Sequence, residues 1–341
     1  MKDLKKNNIS NVKVSVICLA YNHEKYIRRT LEGFAMQKTD FLYEVLIHDD
    51  CSTDHTIDII REFESKYPDI FRVYCEYENQ YSKGINNILG IVIPKVRGEY
   101  IAFCEGDDYW NDEKKLQRQF RALEEHPECS MAVHKVQCCN EDGSPNEWTI
   151  PDSDYNIHGT HILDEDELVQ CLWIRGGYPF HTSSYFIRRN VFEVDCAYPR
   201  DVGMLRKSLL CGFTYYIDEA MSTRRLWSIG NWNSRMKASG VKGNVIFWEG
   251  EVENEMQFDM DTGYKYHSAI LLSCLRYIIN LSRYDSYKAK ELLNKYQSDL
   301  NQIQNIISKE LRIGQKVRCF LVKYFPGSVR IYNWFWKMRH N

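Results

Sequence analysis

Apolar and polar positions alternate between two periods along the first part of the chain. Val14–Ala20 is a short, nearly continuous apolar run rich in β-branched residues, which predicts a strand buried on both faces. Tyr21, Asn22 and His23 end it, with Asn22 placed to cap a helix in which Ile27, Leu31, Phe34 and Ala35 recur at helical spacing. Glu44–Ile47 is a second strand, and Ser52 or Thr53 would cap a helix carrying Ile57, Ile59, Ile60 and Phe63. A third strand is expected from Ile70 to Tyr77 and a helix from Ser82 to Val96. Arg97-Gly98 then turns the chain into a fourth strand, Tyr100–Cys104. Strands alternating with helices in this way make a parallel, doubly wound α/β half.

The pattern is less regular afterwards. Helices are expected over Glu113–Glu125, Leu163–Ile174 and Val202–Cys211, and strands over Met131–Cys139 and Ser183–Arg188. From about Ser268 the chain reads as two long helices, the first carrying Ile270, Leu271, Cys274, Tyr277 and Ile278. No internal repeat or low-complexity linker interrupts it.

Two of the strands end in acid. Asp49-Asp50 follows the second, and Glu105-Gly106-Asp107-Asp108 follows the fourth. Ligands of an open parallel sheet sit beyond the carboxyl ends of its strands. Adjacent carboxylates there repel each other unless a cation shares them, and Mg²⁺ or Mn²⁺ takes a few carboxylate oxygens and completes its sphere with phosphate and water. The bland alternative for either pair is a solvated turn with an Asp helix cap.

Charge changes the picture at one place. The net charge is −3, which carries no nucleic-acid signal, but 311–341 holds seven Lys/Arg and no acid, leaving −10 on the rest. In this tail Val317, Phe320, Leu321, Tyr324 and Phe325 fall at helical spacing, before Tyr332, Trp334, Phe335 and Trp336. Aromatics among cations suit an anionic membrane surface; a terminal helix packed on the protein is the alternative. The twelve cysteines are scattered without a Cys-x-x-Cys pair, and those in apolar runs read as small hydrophobes. The polar start lacks a signal-peptide core and no run reaches the ~18 apolar residues of a spanning helix, so a reduced, cytoplasmic protein is expected, peripheral on the inner face of the plasma membrane if the tail binds lipid.

Segments 14–22 (VSVICLAYN), 48–54 (HDDCSTD) and 105–110 (EGDDYW), in that order, resemble glycosyltransferase family 2 of the bacterial surface-polysaccharide type, over roughly residues 12–235. The resemblance implies a GT-A fold of two abutting Rossmann-like halves that binds a nucleotide-diphosphate sugar, a UDP-sugar being favoured, and inverts the anomeric centre. It divides the chain into a nucleotide-sugar-binding half (12–115), an acceptor-binding half (116–235) and a C-terminal helical extension with the basic aromatic tail (236–341). It also suggests roles. Tyr21 would stack on the base and Asp50 would accept a hydrogen bond from it, with Asp49 structural. Asp107 would lie on the ribose and metal side, and Asp108 would ligate Mn²⁺ or Mg²⁺, which neutralises the diphosphate leaving group.

Inversion needs a base on the far face of the sugar. The resemblance places it at the helix start near Pro199–Gly203, where Asp201 is the choice, Asp195 the rival and a plain N-cap the alternative. His181 would lie near the acceptor, or else serve as a core histidine. Arg225 matches the Arg that meets the diphosphate, and Trp227 stands where many relatives have His, leaving the third metal ligand open. The Gln-x-x-Arg-Trp motif and membrane spans of processive members are not found, so one sugar per encounter is expected, onto a glycan or lipid-linked acceptor. A nucleotidyltransferase of similar fold would want a Gly-rich phosphate loop after the first strand, where the sequence reads Ala20–Glu24. A non-catalytic nucleotide-sugar-binding protein would not need Asp107, Asp108 and Asp201 together.

Overall fold

The computed structural model describes residues 12–176, 178–194, 201–228, 236, 238–329 and 331–333. They fall into two compact units, the first holding the sheet and its helices to residue 228, the second holding 169–176 and the helices from 236 onward.

In the first unit β1 (Val12–Ala20), α1 (Ile27–Ala35), β2 (Leu42–Asp49), α2 (Thr56–Lys66), β3 (Phe71–Cys75) and β4 (Tyr100–Phe103) follow one another as the periodicity predicts. Then come β5 (Tyr109–Trp110), α3 (Lys115–Glu125), β6 (Cys129–Cys139), β7 (Pro145–Ile150), β8 (His161–Leu163), a short α4 (Glu165–Val169) that runs into the second unit, β9 (Phe186–Arg188), α5 (Asp201–Cys211) and β10 (Phe213–Arg225). The strand order is β3-β2-β1-β4-β9-β6-β10-β5, with β7 beside β6 and β8 beside β10. β1, β2, β3 and β4 pair in parallel, and so do β6 and β10. β9 is antiparallel to both β4 and β6, so β6 and β10 run in the same direction as β1, β2 and β4. The carboxyl ends of six strands (β1, β2, β3, β4, β6 and β10) therefore share one edge.

Alternation explains the core. Val14, Val16, Cys18 and Ala20 of β1 pack with Val45 and Ile47 of β2 and with Ile27, Leu31 and Phe34 of α1. On the other face Ser15 donates to Glu44 Oε1 (2.7 Å), while Arg72 and Arg97 each bond Glu44 Oε2 at 2.7 Å. Burial alone would raise the Glu44 pKa, but the bonds from Arg97, Ser15 and Arg72 prevail and hold it below its ordinary value. Gly98 is required at the turn into β4, because a Cβ there would lie 2.5 Å from the Ser15 nitrogen.

Several expectations are corrected. Asn22 does not cap α1: it is left-handed (φ 56°), and its side-chain oxygen accepts from the Thr53 nitrogen at 2.8 Å, tying two loops together. α2 begins at Thr56, past Ser52 and Thr53, and Asp54 accepts from the Thr56 nitrogen. Residues 82–96 form only short 3₁₀ and π turns, interrupted at the left-handed Gly84, with Pro94 inside the last of them. The strand expected from Ser183 starts at Phe186, after a 3₁₀ turn.

The second unit holds α6 (Gly240–Asp261), α7 (His267–Leu281), α8 (Ser286–Lys295), α9 (Gln297–Gln302), α10 (Gln304–Glu310) and α11 (Ile313–Tyr324). The two long helices expected there are one long helix, α7, and a series of short ones. The 22-residue α6 escaped sequence reading because its buried face mixes Val252 and Phe258 with Glu251, Glu255 and Asp259. Acids on the core side blur the apolar stripe.

Lys115 opens α3 fully buried, its Nζ 4.1 Å from the Trp110 ring centroid and 2.6 Å from Gln119 Oε1. Burial lowers its pKa to about 7, against the opposing pull of Cys104 and Asp112. The unfolded chain holds that proton up to about pH 10.4, so the penalty is full below about 7 and is relieved as pH rises between the two values. Thermal melts of Lys115→Met against the parent should favour the variant most near pH 7 and progressively less toward ~10. A pH-independent difference would contradict this.

Candidate active site

The shared carboxyl edge gathers the acidic motif of β4, the ends of β1 and β2, the end of β10 and the turn at His181. Thr30 of α1 anchors the motif, its hydroxyl donating to the carbonyls of Gly106 (3.0 Å) and Asp108 (2.5 Å). Gly106 allows a close approach to β1: its nitrogen donates to the Leu19 carbonyl, and a Cβ would lie 2.7 Å from His23 Nδ1 and 3.3 Å from the Leu19 oxygen.

Asp108 is 4% exposed. Its Oδ1 accepts from the Arg225 backbone nitrogen at 2.7 Å, and its Oδ2 lies 3.6 Å from His181 Nε2. Glu105 accepts from the Thr182 hydroxyl at 2.7 Å. Glu105, Asp108 and His181 each offer a ligand atom, and these atoms lie within 4.8 Å of one another. These three side chains would hold a hard divalent cation after modest shifts. The electrostatics fit a cation. Burial, then the charges of Asp107 and Glu105, push the Asp108 carboxyl well above its ordinary pKa, a cost that a divalent ion would reverse. Burial, then Arg224 and His134, drive His181 well below its usual value, which leaves the neutral imidazole that ligates metals. Nδ1 accepts from the Ser183 nitrogen at 3.4 Å and lies 3.0 Å from Ser183 Oγ, so offering Nε2 to an ion requires the Nδ1 proton to turn to that hydroxyl instead.

Asp107 points elsewhere. Its carboxylate accepts from the Ser228 hydroxyl, and its carbonyl accepts from Arg225 Nε at 3.2 Å. Tyr21 stands at the end of β1, 42% exposed. Asp50 is at the end of β2, but its carboxylate accepts from the nitrogens of Gln80 (2.7 Å) and Tyr81 (3.1 Å), which holds the loop after β3. Asp49 closes a local turn with Ser52.

Arg225, which the motif assigns to the diphosphate, is engaged within the protein. Its guanidinium lies over the Tyr26 ring (4.7 Å) and donates to the Glu141 carbonyl at 2.8 Å, so it fastens the acidic motif to the turn after β6. Successive strand residues face opposite sides, and it is Arg224 whose charge acts on both Asp108 and His181. Sequence reading missed Arg224 and gave Glu105 no role. Two-residue alternation along β10 was the signal for Arg224, and the Glu-x-x-Asp spacing of the motif was the signal for Glu105.

Trp227 left the third ligand open, and His181, from a distant turn, brings a candidate ligand atom to the cluster. Trp227 itself is left-handed (φ 65°) and exposed. Asp201 opens α5, but its side chain lies outside the described residues, as does Asp195.

Comparison with known proteins identifies the family and the fold. The sequence profile of glycosyl transferase family 2 matches residues 15–190. An uncharacterized protein of Mycobacterium tuberculosis is 44% identical over 266 residues, 76% of this chain and 71% of that one. The putative teichuronic acid biosynthesis glycosyltransferase TuaG of Bacillus subtilis is 33% identical over 166 residues, 47% of this chain and 60% of its own. Among solved structures, Staphylococcus aureus TarS residues 1–349 in complex with UDP superposes with a TM-score of 0.53 at 18% identity, covering 94% of this chain and 87% of that one. At that identity the likeness establishes the GT-A architecture alone. With the profile spanning more than half of its length, the chain belongs to glycosyltransferase family 2 and is a glycosyltransferase.

Proposed function

We propose that this enzyme transfers a single sugar, with inversion, from a nucleotide-diphosphate donor to a glycan or lipid-linked acceptor in the synthesis of a bacterial surface polysaccharide. The carrying observation is the cluster of Glu105, Asp108 and His181 at the carboxyl edge of the sheet, with the Arg224 charge beside it. A UDP-sugar donor is favoured by the bound UDP of the TarS structure and by the glucosyltransferase WfaP of Escherichia coli, named for UDP-Glc and 38% identical over 97 residues. The surface-polymer setting follows from the name of TuaG.

Each residue then has a task. Tyr21 offers an aromatic face to the base. Asp50 accepts from the base while shaping the loop beneath it, and Asp107 lies against the ribose. Asp108, with Glu105 and His181, would hold Mn²⁺ or Mg²⁺, whose charge when bound would neutralise the diphosphate leaving group. Arg224 supplies a fixed cation to the same phosphates. Asp201 takes the proton of the acceptor hydroxyl as its oxygen attacks C1 opposite the leaving group, which inverts the centre. A lipid-linked acceptor would place the reaction at the cytoplasmic face of the membrane.

Arg224 and Arg225 separate by experiment. Arg224→Gln should weaken donor binding roughly tenfold or more, the scale of a lost charge-assisted contact, at an unchanged melting temperature. Arg225→Gln should lower the melting temperature first. Calorimetric donor titration beside thermal melts would reveal the reverse pattern, which would return the phosphate contact to Arg225. The reaction itself is tested by turnover of a panel of nucleotide sugars with and without Mn²⁺.

A further inference from the structure

Helix α11 packs on α7 and α8 of its own unit by one side only. Arg318 (6% exposed, 5.6 Å from the Tyr332 ring centroid) and Val322 (0%) form the buried side. Ile313, Val317, Phe320 and Tyr324 are all exposed, three of them by more than half. At 100° per residue these four fall within an arc of about 60°, opposite Arg318 and Val322. Phe325 and Ile331 extend the exposed apolar surface beyond the helix. The sequence allowed either a packed terminal helix or a membrane contact. Here the helix is packed by its other side, and most of the apolar residues that the sequence placed at helical spacing point to solvent.

Soluble surfaces rarely carry a continuous row of large apolar side chains without a partner. Charge decides among partners. Lys316 and Lys323 flank the row on one side, residues 311–341 hold seven Lys/Arg and no acid, and the last residues add Trp334, Phe335, Trp336, Lys337 and Arg339. A second copy of this chain would bring cations against cations. An anionic bilayer offers acyl chains to the aromatics and phosphates to the lysines.

We propose that the Ile313–Val317–Phe320–Tyr324 stripe of α11 is a monotopic membrane-binding face that inserts into the headgroup region of an anionic leaflet, with Lys316 and Lys323 at the phosphate level. This goes beyond the transfer reaction and does not depend on it. No helix among the described residues is long and apolar enough to cross a membrane, so the contact would be lateral.

Sedimentation of the full chain with phosphatidylglycerol-containing vesicles tests the proposal. Binding should exceed that to pure phosphatidylcholine and weaken as salt screens the lysines. Phe320→Ser/Tyr324→Ser should lower vesicle affinity at least about tenfold, while the melting temperature and donor hydrolysis stay at the parental values. Should that pair fail to fold, Lys316→Gln/Lys323→Gln, at an exposed and a half-buried position, should still weaken binding to the anionic vesicles. Failure of the full chain to pellet with anionic vesicles would overturn the proposal, as would equal pelleting of both double variants. A concentration-dependent dimer lost in Phe320→Ser/Tyr324→Ser, without vesicle binding, would assign the stripe to a second copy instead.

Discussion

Asp108→Ala should abolish the dependence of nucleotide-sugar binding on Mn²⁺ or Mg²⁺ while leaving the protein folded. The reasoning is electrostatic. Asp108 is buried beside Glu105 and Asp107, and its carboxyl is held well above its ordinary pKa chiefly by that burial. Its neighbours His181 and Glu105 complete a donor set suited to a hard or borderline cation. Removing the central ligand should cost far more than removing a peripheral one. Glu105→Gln and His181→Ala should therefore weaken metal-dependent binding, each by about 10–100-fold, the range seen when supporting groups of metal sites are lost. Asp108 also receives the Arg225 nitrogen at 2.7 Å, so Asp108→Asn, which keeps an acceptor there, is the control for local collapse. Isothermal titration with donor at saturating Mn²⁺ and in chelator reads the effect. A folded alanine variant that keeps the parent's Mn²⁺-dependent gain in donor affinity would remove Asp108 from the metal site.

The second large effect is expected at Asp201. Asp201→Asn should bind donor as the parent does yet transfer at least ~10²-fold more slowly, the usual contribution of a positioned base. The split between binding and turnover is the informative part. A helix cap at the start of α5 would also tolerate Asn, because Asn and Asp cap about equally well; a purely structural role therefore predicts little change in either quantity. Single-turnover transfer beside donor titration distinguishes the two. Parental transfer by the variant would move the base elsewhere, with Asp195 next to be replaced.

Legibility from sequence followed the physics of each element. β1, β2 and β4 were readable because parallel strands covered on both faces leave continuous apolar runs, and their acidic ends were readable because two charges so placed demand a reason. α6 was not, since Glu251, Glu255 and Asp259 face its core side. The loop after β1 was misread at Asn22, where the cap signal of an Asn was used instead to bridge to Thr53. In the candidate site, Asp108 and the strand ends were visible as a motif, while His181 entered through tertiary proximity that no spacing encodes. Arg224 and Arg225 are adjacent on β10 and face opposite sides, and no spacing in the sequence tells which of the two charges serves the site.

The most direct test of the account is product analysis with a panel of nucleotide sugars, saccharide or lipid-linked acceptors, and Mn²⁺ or Mg²⁺. The account predicts transfer that stops in chelator and resumes on adding the ion, with the anomeric proton of the new linkage showing the configuration opposite to that of the donor. A product that retains the donor's configuration, or transfer that proceeds undiminished in chelator, would contradict it.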